Sequence, residues 1–369
     1  MHVAICSDGV FPEAIGGMER HTRLLTETMA RLRPDVQITV IHTHPGKTMF
    51  AGIPNVDERT IAPKQGRRQY LLECLELSDR FARVLRTLPD AIVYSQGICV
   101  VRHIREFSDR LVVNPHGLES FQTLSLRDWA KTTPFRMVQR RTFRGARHVV
   151  SLGGRLTDIL RRECPGQDKV VVIPNGVAMP SPSAKSTRSS ALPLRLLFVG
   201  RLAPNKGVPD LLAAVDELAR RGETAAFEVD IVGGGPLLDE LRGANRRTNV
   251  RYLGKVSDEH LEQLYAAADA LVLPTLFEGM PTVVLEAMAR SLPVLVTDVG
   301  ATRELVDGSN GEIIPMRDPA GLADALQRLR SLGTEGRRRL GEAGATRAKG
   351  EFSWDRVARA HLQLFAAIR

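Results

Sequence analysis

Two carboxylates stand eight positions apart in Glu278-Gly-Met-Pro-Thr-Val-Val-Leu-Glu286, with Gly279, Met280, Pro281 and Thr282 between them. A helix predicted to begin at Pro281 leaves backbone N–H groups of this loop free, because proline suits a first helical turn and early N–H groups have no intrahelical partner. Such an end carries partial positive charge and suits an anion such as a diphosphate. Carboxylates repel phosphate but accept hydrogen bonds from paired hydroxyls. Anion hole and carboxylates together therefore suit a molecule with both phosphates and a sugar. A second cluster, Arg201-Leu-Ala-Pro-Asn-Lys206-Gly207, carries two cations five positions apart. Arginine offers a fixed fork and lysine a mobile point charge, and both can converge on one anion. Charge that develops on a departing diphosphate would be stabilised there.

Both clusters follow strand patterns, Leu194-Arg-Leu-Leu-Phe-Val-Gly200 and Ala270-Leu-Val-Leu-Pro274. The rest of the chain alternates in the same way, which predicts an α/β protein with doubly wound parallel sheets. Strands are expected at His2–Cys6, Val36–Ile41, Ala91–Tyr94, Leu111–Asn114, His148–Ser151 and Val170–Ile173. A Pro- and Ser-rich stretch, 178–193, has linker composition, and the pattern restarts after it at 194. Two Rossmann-like units, 1–177 and 194–351, are thus expected to face a cleft at the carboxyl ends of their strands. Glycine-rich turns at strand ends allow close backbone approach to a ligand, here Gly16-Gly17 and Gly233-Gly234-Gly-Pro236. His116 follows another strand, in Asn114-Pro-His-Gly117.

The Glu-x7-Glu string in this setting resembles the signature of retaining family-4 glycosyltransferases with the GT-B fold. The resemblance runs from Gly16-Gly17 to Trp354 and includes Arg201, Lys206 and Asn175-Gly176. It implies a metal-independent transferase that moves a sugar from a nucleotide diphosphate to an acceptor hydroxyl. No DxD motif supplies a metal site, and no cofactor is expected beyond the nucleotide sugar itself, with UDP or GDP the expected carriers. Arg201 and Lys206 would stabilise the leaving diphosphate, Glu278 would bind sugar hydroxyls and Glu286 the ribose. His116 would touch the donor sugar, and Gly16 and Gly17 would lie across the cleft. Backbone groups around Val256, in Gly254-Lys-Val-Ser257, would hold the base. The last helix, about 352–369, would return to the N-terminal unit. A nucleotide-sugar epimerase shares this architecture, and a non-catalytic nucleotide-sugar binder is a further alternative.

Composition narrows the partners. Apolar residues make up 43% and charged residues 25% of 369 positions, as in ordinary globular proteins. No apolar run approaches the ~20 residues of a membrane span, and the N-terminus enters a strand pattern without a signal-peptide layout. Scattered Cys6, Cys74, Cys99 and Cys164 fit free thiols of a cytoplasmic protein. The net charge of +9 is concentrated in the first 180 residues, where 26 Lys and Arg face 18 Asp and Glu. Arg136, Arg140 and Arg144 would share one face of a helix over 134–147. That face predicts peripheral attachment to the anionic inner face of a membrane, and a glycan or lipid-linked acceptor in envelope polysaccharide or glycolipid synthesis. Nucleic acid is an unsuitable partner, because aromatics are only 5% and none interleaves with the basic run in a recognised motif.

Overall fold

A computed structural model describes residues 1–66, 69–123, 125–164, 166–180 and 193–368. Contacts divide the chain into two compact units, Met1–Gly176 with Trp354–Arg369, and Val177–Ser353. Most of the expected linker, 181–192, lies outside the described residues.

The first unit is built on seven parallel strands: β1 (His2–Cys6), β2 (Gln37–His42), β3 (Val56–Thr60), β4 (Ile92–Gln96), β5 (Leu111–Asn114), β6 (His148–Ser151) and β7 (Val170–Val172). They are ordered β3-β2-β1-β4-β5-β6-β7. The inner strands are runs of Val, Ile and Leu because helices cover both faces of such a sheet. Val3, Ile5, Tyr94, Val112 and Val150 are accordingly buried. β3 was not expected, since its sequence, Val-Asp-Glu-Arg-Thr, is largely polar. An edge strand exposes one side and tolerates this composition. Glu58 fixes it by accepting the backbone N–H groups of Met49 and Phe50 at 3.0 Å and by meeting His42 Nε2 at 3.2 Å.

Two helices seal one face of this sheet. Gly17–Leu32 and Trp354–Ala366 pack against each other, and Leu25, Met29, Val357, Ala358 and Phe365 join the core with Ile5 and Tyr94. Burial of one such side chain stabilises the unit by roughly 1.5–3 kcal/mol. The returning helix is thus an integral part of the first unit.

The second unit has six parallel strands: β8 (Leu194–Val199), β9 (Phe227–Val232), β10 (Val250–Gly254), β11 (Ala270–Leu273), β12 (Val294–Thr297) and β13 (Gly311–Ile314). Their order is β10-β9-β8-β11-β12-β13. The chain winds outward from β8 in one direction and from β11 in the other. A crevice therefore opens between β8 and β11, where successive crossovers leave for opposite directions. All four cysteines are free and buried. Among the described residues no helix is long and apolar enough to cross a membrane.

Candidate functional site

β8 and β11 are hydrogen-bonded neighbours, so the segments that leave their carboxyl ends meet at the crevice. The first segment carries Arg201 and a short 3-10 turn, Pro204–Lys206, before the helix Val208–Arg220. The second carries Glu278 to Pro281 before the helix Thr282–Ala289. Lys206 Nζ donates to Glu278 Oε1 at 2.5 Å, and both side chains are about four-fifths buried or more, at 21% and 14% exposure. The two backbones interlock as well, since Leu276 N and Thr275 Oγ1 both donate to the carbonyl of Asn205, at 2.8 and 3.0 Å. Arg201 projects into solvent with no ion-pair partner among the described residues.

Gly207 makes this contact sterically feasible. Its φ is +67°, and a Cβ there would lie 1.8 Å from the carbonyl oxygen of Pro274. Gly207→Ala therefore combines left-handed strain with a backbone clash and is expected to cost about 3 kcal/mol or more. Chemical denaturation checks this, and a loss below about 1 kcal/mol would contradict the packing.

Pro281 differs from its expected place. It precedes the helix as an extended residue, with its carbonyl accepting from Val284 N at 3.1 Å, and Thr282 is the first helical residue. Pro281 itself has no N–H to offer at this end. Glu286 is the fifth helical residue, and Tyr265 donates to its Oε2 at 3.0 Å. Burial first, and then the neighbouring Glu286 carboxylate, hold the Tyr265 phenol well above its ordinary value. Tyr265 stays a neutral donor that orients the carboxylate.

The glycine loops form the adjoining wall. Gly233 follows β9 with φ +131°, and a Cβ there would stand 1.9 Å from the carbonyl oxygen of Gly200. Leu202 N donates to Gly234 O at 2.9 Å, and Gly233 N to Gly254 O at 2.8 Å. The loops after β8, β9 and β10 are thereby tied together, and Val256 lies two residues beyond Gly254 in the third.

Three supports escaped the sequence reading. Gly300 has φ +52°, and a Cβ there would clash with the carbonyls of Glu278 and Gly279. Ala301 N donates to Gly279 O at 2.9 Å. Thr297 Oγ1 donates to the carbonyl of Thr275. All hold the Glu278 loop from behind, and a glycine three residues after a strand was their only signal.

In the first unit, Gly16 caps the helix Gly17–Leu32, and His116 follows β5 at φ +57°. That left-handed backbone is costly for histidine and is held by Asn114 Oδ1, which accepts His116 N at 2.9 Å. Gln96 donates through Nε2 to Thr22 Oγ1 at 2.7 Å, so its Oε1 faces His116 Nε2 in a short contact. This network assigns the ring proton to Nε2. His116 Nδ1 is left as a lone-pair acceptor for a ligand hydroxyl.

His116 belongs to a buried group. Its ring lies 4.8 Å from that of His21, which meets Asn175 Oδ1 at 3.0 Å and stacks edge-on against Trp354 at 5.4 Å. His361 Nδ1 bonds the Val357 carbonyl at 2.9 Å, while its Nε2 accepts from Tyr94 at 3.0 Å. Burial, then the neighbouring His361, depresses the His116 pKa to about 3. Burial depresses His361 to about 4 and His21 well below its ordinary value. All three rings are neutral at physiological pH.

The shared basic face of Arg136, Arg140 and Arg144 is not what forms, and the expectation is corrected. Arg136 is 2% exposed and points inward, with Nη1 donating to Ser120 O at 3.0 Å. Arg140 forks onto Glu163 at 2.6 and 2.9 Å. Arg144 Nε donates to the carbonyl of Glu163 at 3.2 Å. Arg140 and Arg144 thus reach Glu163 at the end of the helix Gly154–Glu163, while Arg136 turns to Ser120, Thr132 and Thr133. Among the described residues, no group of three or more His, Cys, Asp or Glu side chains is placed to hold a metal ion.

Two doubly wound parallel sheets, with a charged crevice at the switch point of the second, make up the GT-B architecture. Residues 15–179 match Glycosyltransferase Family 4, and residues 193–331 match Glycosyl transferases group 1. The chain belongs to this family of GT-B glycosyltransferases. It is 32% identical over 208 residues to a glycogen synthase of Mycobacterium tuberculosis, covering 56% of this chain and 50% of that one. It is 33% identical over 219 residues to a D-inositol 3-phosphate glycosyltransferase of Nocardia farcinica, covering 54% and 48%. The chain thus spans about half the length of these curated relatives. In fold it is similar to a sucrose-phosphate synthase of Thermosynechococcus elongatus, with a TM-score of 0.80 at 22% identity over 99% of each chain. It is also similar to Anabaena HepE in complex with UDP-glucose, with a TM-score of 0.73 at 20% identity over 100% of each.

Proposed function

We propose that this chain transfers a sugar, with retention and without a resident metal or other cofactor, from a nucleotide-diphosphate sugar to a glycan or lipid-linked hydroxyl. The observation that carries this reading is the Lys206–Glu278 pair at the β8/β11 crevice, with Arg201 on the loop that leaves β8 and the Gly279–Thr282 segment on the loop that leaves β11. The diphosphate would lie against Arg201, Lys206 and the backbone of the loop at the start of the helix Thr282–Ala289. An ammonium has three donors, so Lys206 can keep Glu278 and still bond a phosphate oxygen. Glu278 would accept sugar hydroxyls, and Glu286, aimed by Tyr265, the ribose hydroxyls. His116 would accept a further hydroxyl through Nδ1. UDP or GDP is the expected carrier, and the UDP-glucose complex of HepE favours the first.

In the reaction, the acceptor oxygen bonds to the anomeric carbon as that carbon's bond to the diphosphate oxygen breaks. The acceptor's proton passes to the departing diphosphate on the same face. Arg201 and Lys206 stabilise the negative charge as it develops, which is the interaction that lowers the barrier. Mass spectrometry and NMR of products formed from nucleotide sugars and glycan acceptors test this. A new glycosidic bond with the donor's anomeric configuration is expected. An altered free sugar formed without acceptor would instead establish epimerisation.

We further propose that the first unit rests on an anionic membrane surface in the cytoplasm, through the helices Leu126–Lys131 and Thr133–Gly145. Leu126, Trp129 and Met137 are 88%, 51% and 62% exposed there, beside exposed Arg127, Lys131 and Arg141. Apolar and aromatic side chains flanked by basic ones suit a headgroup boundary, with about 1 kcal/mol from each basic residue near the surface. Co-sedimentation with anionic vesicles at low salt is the check. Binding should fall on Trp129→Ala and in high salt, and no binding at low salt would refute the attachment.

A further inference from the structure

Arg136 is a buried cation without a buried anion. Its Nη1 donates to Ser120 O at 3.0 Å and Thr132 Oγ1 at 2.6 Å, and its Nη2 to Thr133 Oγ1 at 2.6 Å. All three acceptors are neutral. The guanidinium also stacks on Trp129, 4.1 Å from the ring centroid. Five N–H groups are available to an arginine, so Nε–H and one Nη2–H have no partner among the described residues. Leaving a buried charge without a counter-charge is costly, and native structures rarely tolerate it unless something completes the site.

The side chain lines a cavity of about 210 Å³ between the helices Leu126–Lys131, Thr133–Gly145 and Gly154–Glu163. Its walls carry Arg140 and Arg162 as further cations, with Glu163 the one acid and Phe121 and Trp129 the aromatic surfaces. Glu163 is already committed. Arg140 forks onto it and holds its carboxyl below the ordinary range. Arg162 donates through Nε to the Asp158 carbonyl at 3.2 Å and forms no ion pair among the described residues, although its charge adds to Arg140 in lowering Glu163. Three arginines and one glutamate leave two positive charges in excess on the lining.

We propose that this cavity is a binding site for a phosphate group, separate from the diphosphate crevice of the second unit. Two unmatched guanidinium groups fit the charge of −1.5 to −2 that a phosphomonoester carries at neutral pH. The guanidinium fork matches phosphate oxygens in geometry, and the partly enclosed apolar walls strengthen the attraction. Phe121 and Trp129 offer faces for the organic part of the ligand. The phosphate belongs either to a soluble ester or to a lipid headgroup at the exposed Leu126–Lys131 helix.

Titration calorimetry and thermal shift with inorganic phosphate, against chloride at equal ionic strength, test the site in the full chain. Arg162→Gln alters an exposed residue and should fold normally, whereas Arg136→Met removes the buried cation. Phosphate should bind with millimolar affinity to the wild type, about tenfold more weakly to Arg162→Gln, and not measurably at this site to Arg136→Met. General salting effects and binding at Arg201 and Lys206 would persist equally in all three proteins, so the differences report this cavity alone. Equal phosphate responses in wild type and Arg162→Gln would overturn the proposal, whatever becomes of Arg136→Met. Vesicles containing phosphatidate, compared with phosphatidylcholine alone, then separate the sources. Arg162-dependent vesicle binding assigns the phosphate to lipid, and Arg162-dependent binding of free phosphate without it assigns a soluble ester.

Discussion

Lys206→Ala is expected to lower turnover by about 10²–10³, equivalent to about 2.7–4 kcal/mol lost from the transition state. The fall should appear in kcat more than in KM. The lysine's charge counts most when the diphosphate takes up the electron pair of the breaking glycosyl bond, and interactions stronger in the transition state act on kcat. Arg201→Ala should behave alike. Glu278 complicates the reading in an informative way. It pairs with Lys206 at 2.5 Å, so removing the lysine also leaves a largely buried carboxylate unmatched beside the anion. The double variant Lys206→Ala/Glu278→Gln should therefore lose less than the product of the two single losses. Steady-state kinetics across the four proteins measure this, and strictly multiplicative losses would show that the pair does not act as a unit.

Acidification should unfold the first unit well before ordinary carboxylate titration is complete. His21, His116 and His361 are buried neutral, with folded pKa values depressed, to about 3 for His116 and about 4 for His361. Unfolded histidine titrates near 6.5, so below that pH the unfolded chain binds protons that the folded chain does not. The stability is fully present above about pH 6.5 and is lost as the pH falls towards the folded values. At pH 5 His116 and His361 each cost about 2 kcal/mol, together about 4 kcal/mol, a large fraction of the stability of a domain, and His21 adds to the loss in the same direction. Uptake of more than two protons on unfolding near pH 5 is the expected signature in melts followed against pH, nearly two of them from His116 and His361 and the rest from His21, His2, His42 and His148, which burial also depresses. His361→Gln should lower that number by one. A pH-independent melting temperature across this window would show that the group is hydrated or charged when folded.

The β8/β11 crevice was legible because the residues that line it lie in contiguous stretches of sequence. Glu278 to Glu286 and Arg201 to Lys206 each sit in one loop, and each follows a run of Val, Leu and Phe that forms a strand. What the local pattern lacked was the partner at a distance. Nothing near Lys206 announces Glu278, 72 residues away, and nothing near Glu286 announces Tyr265. Gly300 looked like any turn glycine until its clash with the Glu278 carbonyl was visible. The histidine group was hidden for the same reason, since His21, His116 and His361 come from three distant segments that meet under the returning helix. Arg136 shows the opposite failure. Helical spacing placed it with Arg140 and Arg144, but spacing does not say which side of a helix faces protein, and Ser120, Thr132, Thr133 and Trp129 enclose Arg136. Pro281 was displaced by a single residue, because the local pattern fixes that a helix starts there but not which residue takes the first helical conformation.

Calorimetric titration with UDP, GDP and ADP, on the wild type, Lys206→Ala and Glu286→Ala, tests the central claim most directly. One diphosphate should bind the wild type without added metal, and each substitution should weaken it by at least about tenfold, since a hydrogen bond to a charged group contributes about 1.5–3 kcal/mol. Equal affinities in all three proteins, or no binding by any of the diphosphates, would contradict a nucleotide-sugar site at the β8/β11 crevice.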